Sequence, residues 1–231
     1  RTYLEKLVTG PIRDVQKLRS LLVGLAALAV LALAGSVSAQ TQGLAPDVLV
    51  KKVTEDVLAT LKTDKEIQSG NINKLQALVE STVLPYVNFQ KMTASAVGRN
   101  WSTATPEQQK QITDQFRQLL IYTYSGALTE VRDQQVQYKP FRADPSDTVV
   151  QVNTQIVNPR GGEPITLNYR LEKAGDGWKI IDVNVLGVWL VENYRNTFQQ
   201  EVTKGGIDGL IRNLQTKNHS LDAATAAAEK K

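Results

Sequence analysis

Four runs rich in Val, Ile, Thr and Tyr follow one another at residues 135–142, 147–158, 164–173 and 178–186. The links between them are Asp144-Pro145-Ser146-Asp147, Asn158-Pro159-Arg160-Gly161-Gly162 and Gly175-Asp176-Gly177. Links this short and rich in turn formers make hairpins, since a parallel crossover needs a dozen or more residues. The expectation is an antiparallel meander of four strands. Partial alternation gathers Val150, Val152 and Ile156 on one face of the second strand, Leu167, Tyr169 and Leu171 on the third, and Ile181, Val183 and Val185 on the last. A sheet with one apolar face needs a cover.

Helices before and after the strands supply it. From Pro46 to Lys62, Val48, Leu49, Val53, Val57, Leu58 and Leu61 recur at helical spacing, with Pro46 and Asp47 suited to the first turn. After Gly70-Asn71 a second helix is expected from Ile72 to Val83, ended by Pro85, and a short one from Phe89 to Val97. Thr105-Pro106-Glu107-Gln108 has the pattern of a capping box. The helix it opens is expected to reach Arg132, with Ile112, Phe116, Leu119, Leu120, Tyr124, Leu128 and Val131 as its buried stripe. Two further helices are expected at Val188–Val202 and Ile207–Thr216, broken at Gly205-Gly206. The fold class is therefore α+β: a four-stranded antiparallel sheet wrapped by N- and C-terminal helices, its interior either filled or hollow.

The segment Leu21–Leu33 is an unbroken apolar run, preceded by Arg13, Lys17 and Arg19 and followed by AGSVSA. It is shorter than the ~20 apolar residues a membrane span needs. With small residues at Val37 and Ala39, it reads as a signal peptide cleaved after Ala39, so the expected location is the periplasm. Residues 1–39 are set aside as the signal region, 40–217 as a single domain and 218–231, Ala-rich and polar, as a flexible tail. Without residues 1–39, which hold five Lys/Arg and two Asp/Glu, the 27 basic and 23 acidic residues become 22 and 21. A near-neutral chain with no basic run gives no support to a nucleic-acid partner.

Reactive chemistry is sparse. There are no Cys, which excludes disulfides, thiolate metal sites and a Cys nucleophile, and the one His, His219, falls in the expected tail. Neither a GxSxG elbow nor a Gly-rich phosphate loop is present. An isomerase or hydratase built on a cone-shaped fold would need a carboxylate inside the cone. Asp182 and Glu192 are the candidates, although Asp182 alternates with Ile181 and Val183 and is expected on the less apolar side, solvated or ion-paired. A lipoprotein carrier is a further alternative. The expectation is no catalytic residue, no metal and no cofactor.

Residues 177–195 read Gly-Trp-Lys-Ile-Ile-Asp-Val-Asn-Val-Leu-Gly-Val-Trp-Leu-Val-Glu-Asn-Tyr-Arg. This block resembles the W-(K/R)-(V/I)-x-D-V-x-(V/I)-x-G-V-S-L-V-x-N-Y-R signature of the MlaC, or toluene-tolerance auxiliary, family. That family comprises soluble lipid carriers of a phospholipid ABC transport system. Leu84–Met92 with Val97–Trp101, Gln109–Arg117 with Leu119 and Tyr122, and Gly205–Ile211 resemble its other blocks, so the likeness spans roughly residues 44–218. Trp189 stands where Ser is usual, and Asn88 where Asp is usual.

The resemblance implies an apolar pocket between sheet and helices, acyl chains inside and the headgroup facing solvent. Phospholipid is then the cargo. The implied partners are an outer-membrane lipoprotein–porin complex and an inner-membrane ABC transporter with its substrate-binding subunit, and a monomer is expected. The expected lipid-binding wall is Phe89, Met92, Val97, Phe116, Leu120, Tyr124, Leu167, Tyr169, Ile181, Val183, Val185, Leu190 and Tyr194. Arg99, Arg132, Arg170 and Arg195 are candidates for rim contacts with phosphate, each read first as an ordinary surface or capping charge, and Trp189 in place of Ser is expected to narrow or reshape the pocket mouth.

Overall fold

The computed structural model describes residues 43–229. The expected signal peptide lies outside the described residues. Helix α1 (Pro46–Thr63) starts at a proline, which pre-sets the first turn and has no N–H to leave unpaired. Asp64 closes it and caps the single turn α2 (Lys65–Gln68), accepting from the N–H groups of Glu66 and Ile67. Asn71 caps α3 (Ile72–Leu78). This helix is shorter than expected: residues Val79–Val83 form a π-helical turn and Leu84–Tyr86 a 3-10 turn. Pro85 supplies no backbone donor to an α-helical ladder, so the chain leaves α geometry here.

Helix α4 (Phe89–Val97) has the expected bounds, with Asn88 as its cap. The 3-10 segment Gly98–Thr103 leads to α5 (Pro106–Leu128), where the capping box of Thr105 and Gln108 is fully formed. The helix stops at Leu128 rather than Arg132, and the Arg132 guanidinium donates to the carbonyls of Thr129 and Val131 just beyond that end.

The meander has five strands, not four: β1 (Gln135–Tyr138), β2 (Val149–Val157), β3 (Ile165–Ala174), β4 (Gly177–Val185) and β5 (Val188–Trp189), paired antiparallel in chain order. The added strand comes from Val188 and Trp189, which were expected to open a helix. Leu186-Gly187 turns the chain back, Leu186 at φ 50° and Gly187 at φ 88°, and the Gly187 N–H is held by the Asn184 side chain.

The last helix, α6 (Leu190–Glu229), is kinked at Gly205 and Gly206, where a break was expected; Gly206 has φ 66° and ψ −168°. Its second arm continues through 218–229, which corrects the expectation of a flexible tail from Asn218. Asn218 is buried and donates to the backbone and side-chain oxygens of Gln115 on α5.

One side of the sheet is apolar across all the long strands. Val152 stands against Tyr169, which stands against Val183; Leu167 pairs with Val185 and Leu171 with Ile180. A register shift beside Arg170 and Leu171 sends Arg170 to Asp182 and Leu171 to Ile180. Ile181 is the extra residue of that bulge, so Ile180 takes the inward position expected of Ile181. Helix α1, helix α3 and the end of α5 cover this face and form one apolar core with it. Helices α4, α5 and α6 form a second core around Phe116, which lies 5.5 Å from Phe89, 4.9 Å from Tyr194 and 5.0 Å from Phe198 between ring centroids. The seam between the two cores is where the structure is hollow.

Candidate lipid-binding cavity

Thirteen residues from five parts of the chain wall the cavity. The irregular 79–87 segment contributes Val79, Val83, Leu84 and Val87, and α4 contributes Phe89 and Met92. Helix α5 contributes Arg117, Leu120, Ile121, Tyr124 and Leu128, all on one side of the helix at i, i+3, i+4, i+7 and i+11. Val183 closes the wall from β4 and Leu190 from the start of α6. The lining surface is almost wholly carbon. The cavity has a volume of about 100 Å³, within about 730 Å³ of open space that includes its mouth.

Short tethers position the irregular segment. The Asn88 N–H donates to the Ile180 carbonyl at 2.9 Å, and Val87 makes a single parallel bridge with Ile180 on β4. The Lys179 ammonium reaches the Pro85 carbonyl at 2.5 Å. Asn88 donates to Glu172 on β3 at 3.1 Å, and Lys91 forms an ion pair with the same carboxylate. An Asp at 88 would place a second negative charge against Glu172, so the departure to Asn has a local reason.

Of the expected wall residues, Phe89, Met92, Leu120, Tyr124, Val183 and Leu190 lie in the cavity wall. The others stand elsewhere. Phe116 and Tyr194 sit one layer behind Phe89 in the aromatic core, and Val97 is fully buried in the same core. Leu167, Tyr169 and Val185 belong to the filled core under α1, and Ile181 is displaced by the bulge. Sequence reasoning missed Val79, Val83, Leu84, Val87, Arg117, Ile121 and Leu128 as wall residues. The helical spacing of Arg117 with Leu120, Ile121 and Tyr124 was the signal that could have found it.

The expected rim arginines do not line the cavity. Arg99 is exposed, Arg132 caps α5, and Arg195 donates to the Ser95 carbonyl at 3.1 Å. Arg170 lies over the Trp189 ring, 4.2 Å from its centroid, and 3.5 Å from the Asp182 carboxylate. Trp189 is thus a partner of Arg170 on the sheet rather than a wall of the mouth. Asp182 is ion-paired as expected, yet buried rather than solvated. It accepts from the N–H groups of Val183 and Val191, at 2.9 and 3.1 Å, and so ties β4 to the first turn of α6. Burial raises its carboxyl above the ordinary carboxylate range, while those two N–H groups and Arg170 pull it back. Glu192 is exposed, and among the described residues no carboxylate lines the cavity.

Two wall residues carry polar groups at their tips. Tyr124 has no hydrogen-bond partner among the described residues, and burial holds its phenol neutral by pushing its pKa far up; the same cause takes Tyr194 up to about 12. The Arg117 guanidinium donates to Asp114 at 3.2 Å. The described residues contain no cluster able to hold a metal ion, and no helix among them is long and apolar enough to cross a membrane.

Comparison with known proteins agrees with this architecture. The chain is similar to a phospholipid-binding protein from Ralstonia solanacearum solved in complex with a phospholipid. The identity is 46% and the TM-score 0.75, covering 78% of this chain and 99% of that one. It is 24% identical over 172 residues to the intermembrane phospholipid transport system binding protein MlaC of Haemophilus influenzae, covering 74% of this chain and 80% of the relative. It is 29% identical over 191 residues to the toluene tolerance protein ttg2D of Pseudomonas putida, covering 82% and 84%. A profile of the MlaC protein family matches residues 51–216, from α1 into the second arm of α6, and the chain belongs to that family.

Proposed function

We propose that this protein is a carrier that holds the acyl chains of a phospholipid in the cavity between α4, α5 and β4 and moves the lipid between two membranes. The observation that carries the proposal is the wall itself: a carbon-lined hollow in the same fold as a protein solved with a phospholipid, at 46% identity. Transfer of acyl methylenes out of water supplies the driving force, about 0.8 kcal/mol per buried CH₂. Packing against Val, Leu, Ile and Met side chains distinguishes chain length poorly, so selection comes from cavity volume and from the polar edge.

The mature protein, with residues 1–39 removed, works in the periplasm as a monomer in this reading. It exchanges lipid with an outer-membrane lipoprotein–porin complex and with an inner-membrane ABC transporter and its substrate-binding subunit. It is not an enzyme and uses no nucleic acid, metal or cofactor. The absence of a carboxylate from the described wall counts against an isomerase or hydratase working in this cavity. The test is transfer of labelled phospholipid from donor to acceptor vesicles, kept apart by a membrane that passes only protein. Transfer should rise in proportion to added protein, with labelled lipid recovered in the soluble fraction. Absence of label from that fraction would overturn the carrier.

A further inference from the structure

Arg117 is the one charged residue in the described wall. Because that wall is nearly all carbon, Arg117 contributes its methylene stem, while its guanidinium leaves the apolar surface and meets Asp114 at the edge. The side chain is 27% exposed, so the charged end is within reach of water and of a ligand's polar end. Its only hydrogen bond among the described residues uses one terminal nitrogen, towards one oxygen of Asp114. A guanidinium carries five N–H donors in a planar fork, and most of them remain available. The other oxygen of Asp114 is held by Lys110 at 2.5 Å. Two cations therefore share one carboxylate, which leaves the three groups with a net positive charge.

Resting on the carrier reading, we infer that Arg117 binds the phosphodiester of the cargo and selects phosphate-bearing diacyl lipids over neutral diacylglycerols. The stem lies along the wall that the acyl chains would occupy, and the fork stands where that wall meets solvent. A lipid inserted chains-first brings its phosphate to that edge. The guanidinium fork matches two phosphate oxygens at once, a geometry that an ammonium group cannot copy. Tyr124, on the same stripe of the wall, is about 10 Å further along the helix axis.

The experiment offers vesicles of dioleoylphosphatidylglycerol containing a minor share of dioleoylglycerol to the delipidated protein, then measures both bound lipids by native mass spectrometry. The acyl chains are identical, so the bound ratio, relative to the vesicle ratio, reports the headgroup alone. Wild type should enrich the phospholipid roughly tenfold, the scale of a charge-assisted hydrogen bond at a partly exposed site. Arg117→Gln should bring the ratio towards one, and Arg117→Lys should recover part of it. A variant that keeps the wild-type ratio overturns the inference. So does one that loses both lipids equally with an unchanged melting temperature, since that would assign Arg117 to the wall alone. A wild-type protein that takes up diacylglycerol and phospholipid without preference overturns this inference and leaves the carrier standing. Uptake of neither lipid overturns the carrier, and this inference falls with it.

Discussion

Val183 separates cargo binding from folding at the scale of a single side chain. It lies on the inner face of β4 opposite Tyr169, is 4% exposed, and faces a hollow rather than a filled core. Val183→Glu is expected to leave a soluble, folded protein, destabilised by several kcal/mol for a carboxylate brought into an apolar site. Lipid co-purification should fall to background. Lipid retained at the wild-type level would place the cargo elsewhere. Asp182, its neighbour, gives a pH signature. Its folded pKa is raised above the ordinary 3.8, so the native state holds this proton over a range where the unfolded chain has lost it. Its contribution to stability therefore falls as pH rises from about 3.8 through the folded value, and is level above it. Asp182→Asn has nothing to titrate at that site. The stability of wild type minus variant, from urea unfolding at several pH values, should drop across that acid range and then flatten; a difference that grows with pH would contradict the assignment. The residue scale is also where the sequence was least legible. Alternation placed Ile181 inside, and one bulge beside Arg170 and Leu171 reversed it. The four candidate rim arginines took the ordinary capping, surface and stacking roles weighed against that use, while Arg117, which the sequence reading did not single out, reached the wall through its stem.

Elements were more legible than side chains wherever a local signal decided them. The capping box at Thr105, Pro46 at the start of α1 and the turn residues between strands each bind their own neighbourhood, and those elements appear where the sequence places them. The 79–86 segment and β5 depend on tertiary tethers to β4, which no local pattern carries. The second arm of α6 is likewise held from outside, by Asn218 on Gln115, so an Ala-rich stretch that reads as a tail forms helix. The kink between the two arms rests on Gly206, whose φ of 66° with an extended ψ of −168° belongs almost only to glycine. A Cβ at 206 would meet nothing within 4 Å, so Gly206→Ala tests the backbone alone. The expected loss is about 1–3 kcal/mol, read from urea unfolding; an unchanged midpoint would mean that the kink is not held in this conformation.

For the molecule as a whole, the central question is volume. At about 100 Å³ the cavity is small for a pair of acyl chains. Drug-sized ligands occupy roughly 300–1,000 Å³. Loading must therefore part the walls, and packed cores yield by moving an element rather than by compressing. The 79–87 segment, in π and 3-10 turns and tethered to β4 at its far end, is the wall with the weakest internal ladder. Hydrogen exchange of delipidated against loaded protein should show the largest change in protection there, with β2 and β3 amides nearly unchanged; equal changes throughout would contradict a local opening. Fold class was legible because it follows from hairpin links and helical stripes. Whether the interior is hollow was not, because a wall residue and a core residue share the same apolar periodicity.

The most direct test of the carrier is native mass spectrometry of the protein purified from cells, with lipid extraction of the same sample. A phospholipid bound at near-equal stoichiometry is the predicted result. A bare protein that also takes up no lipid from vesicles would contradict the account.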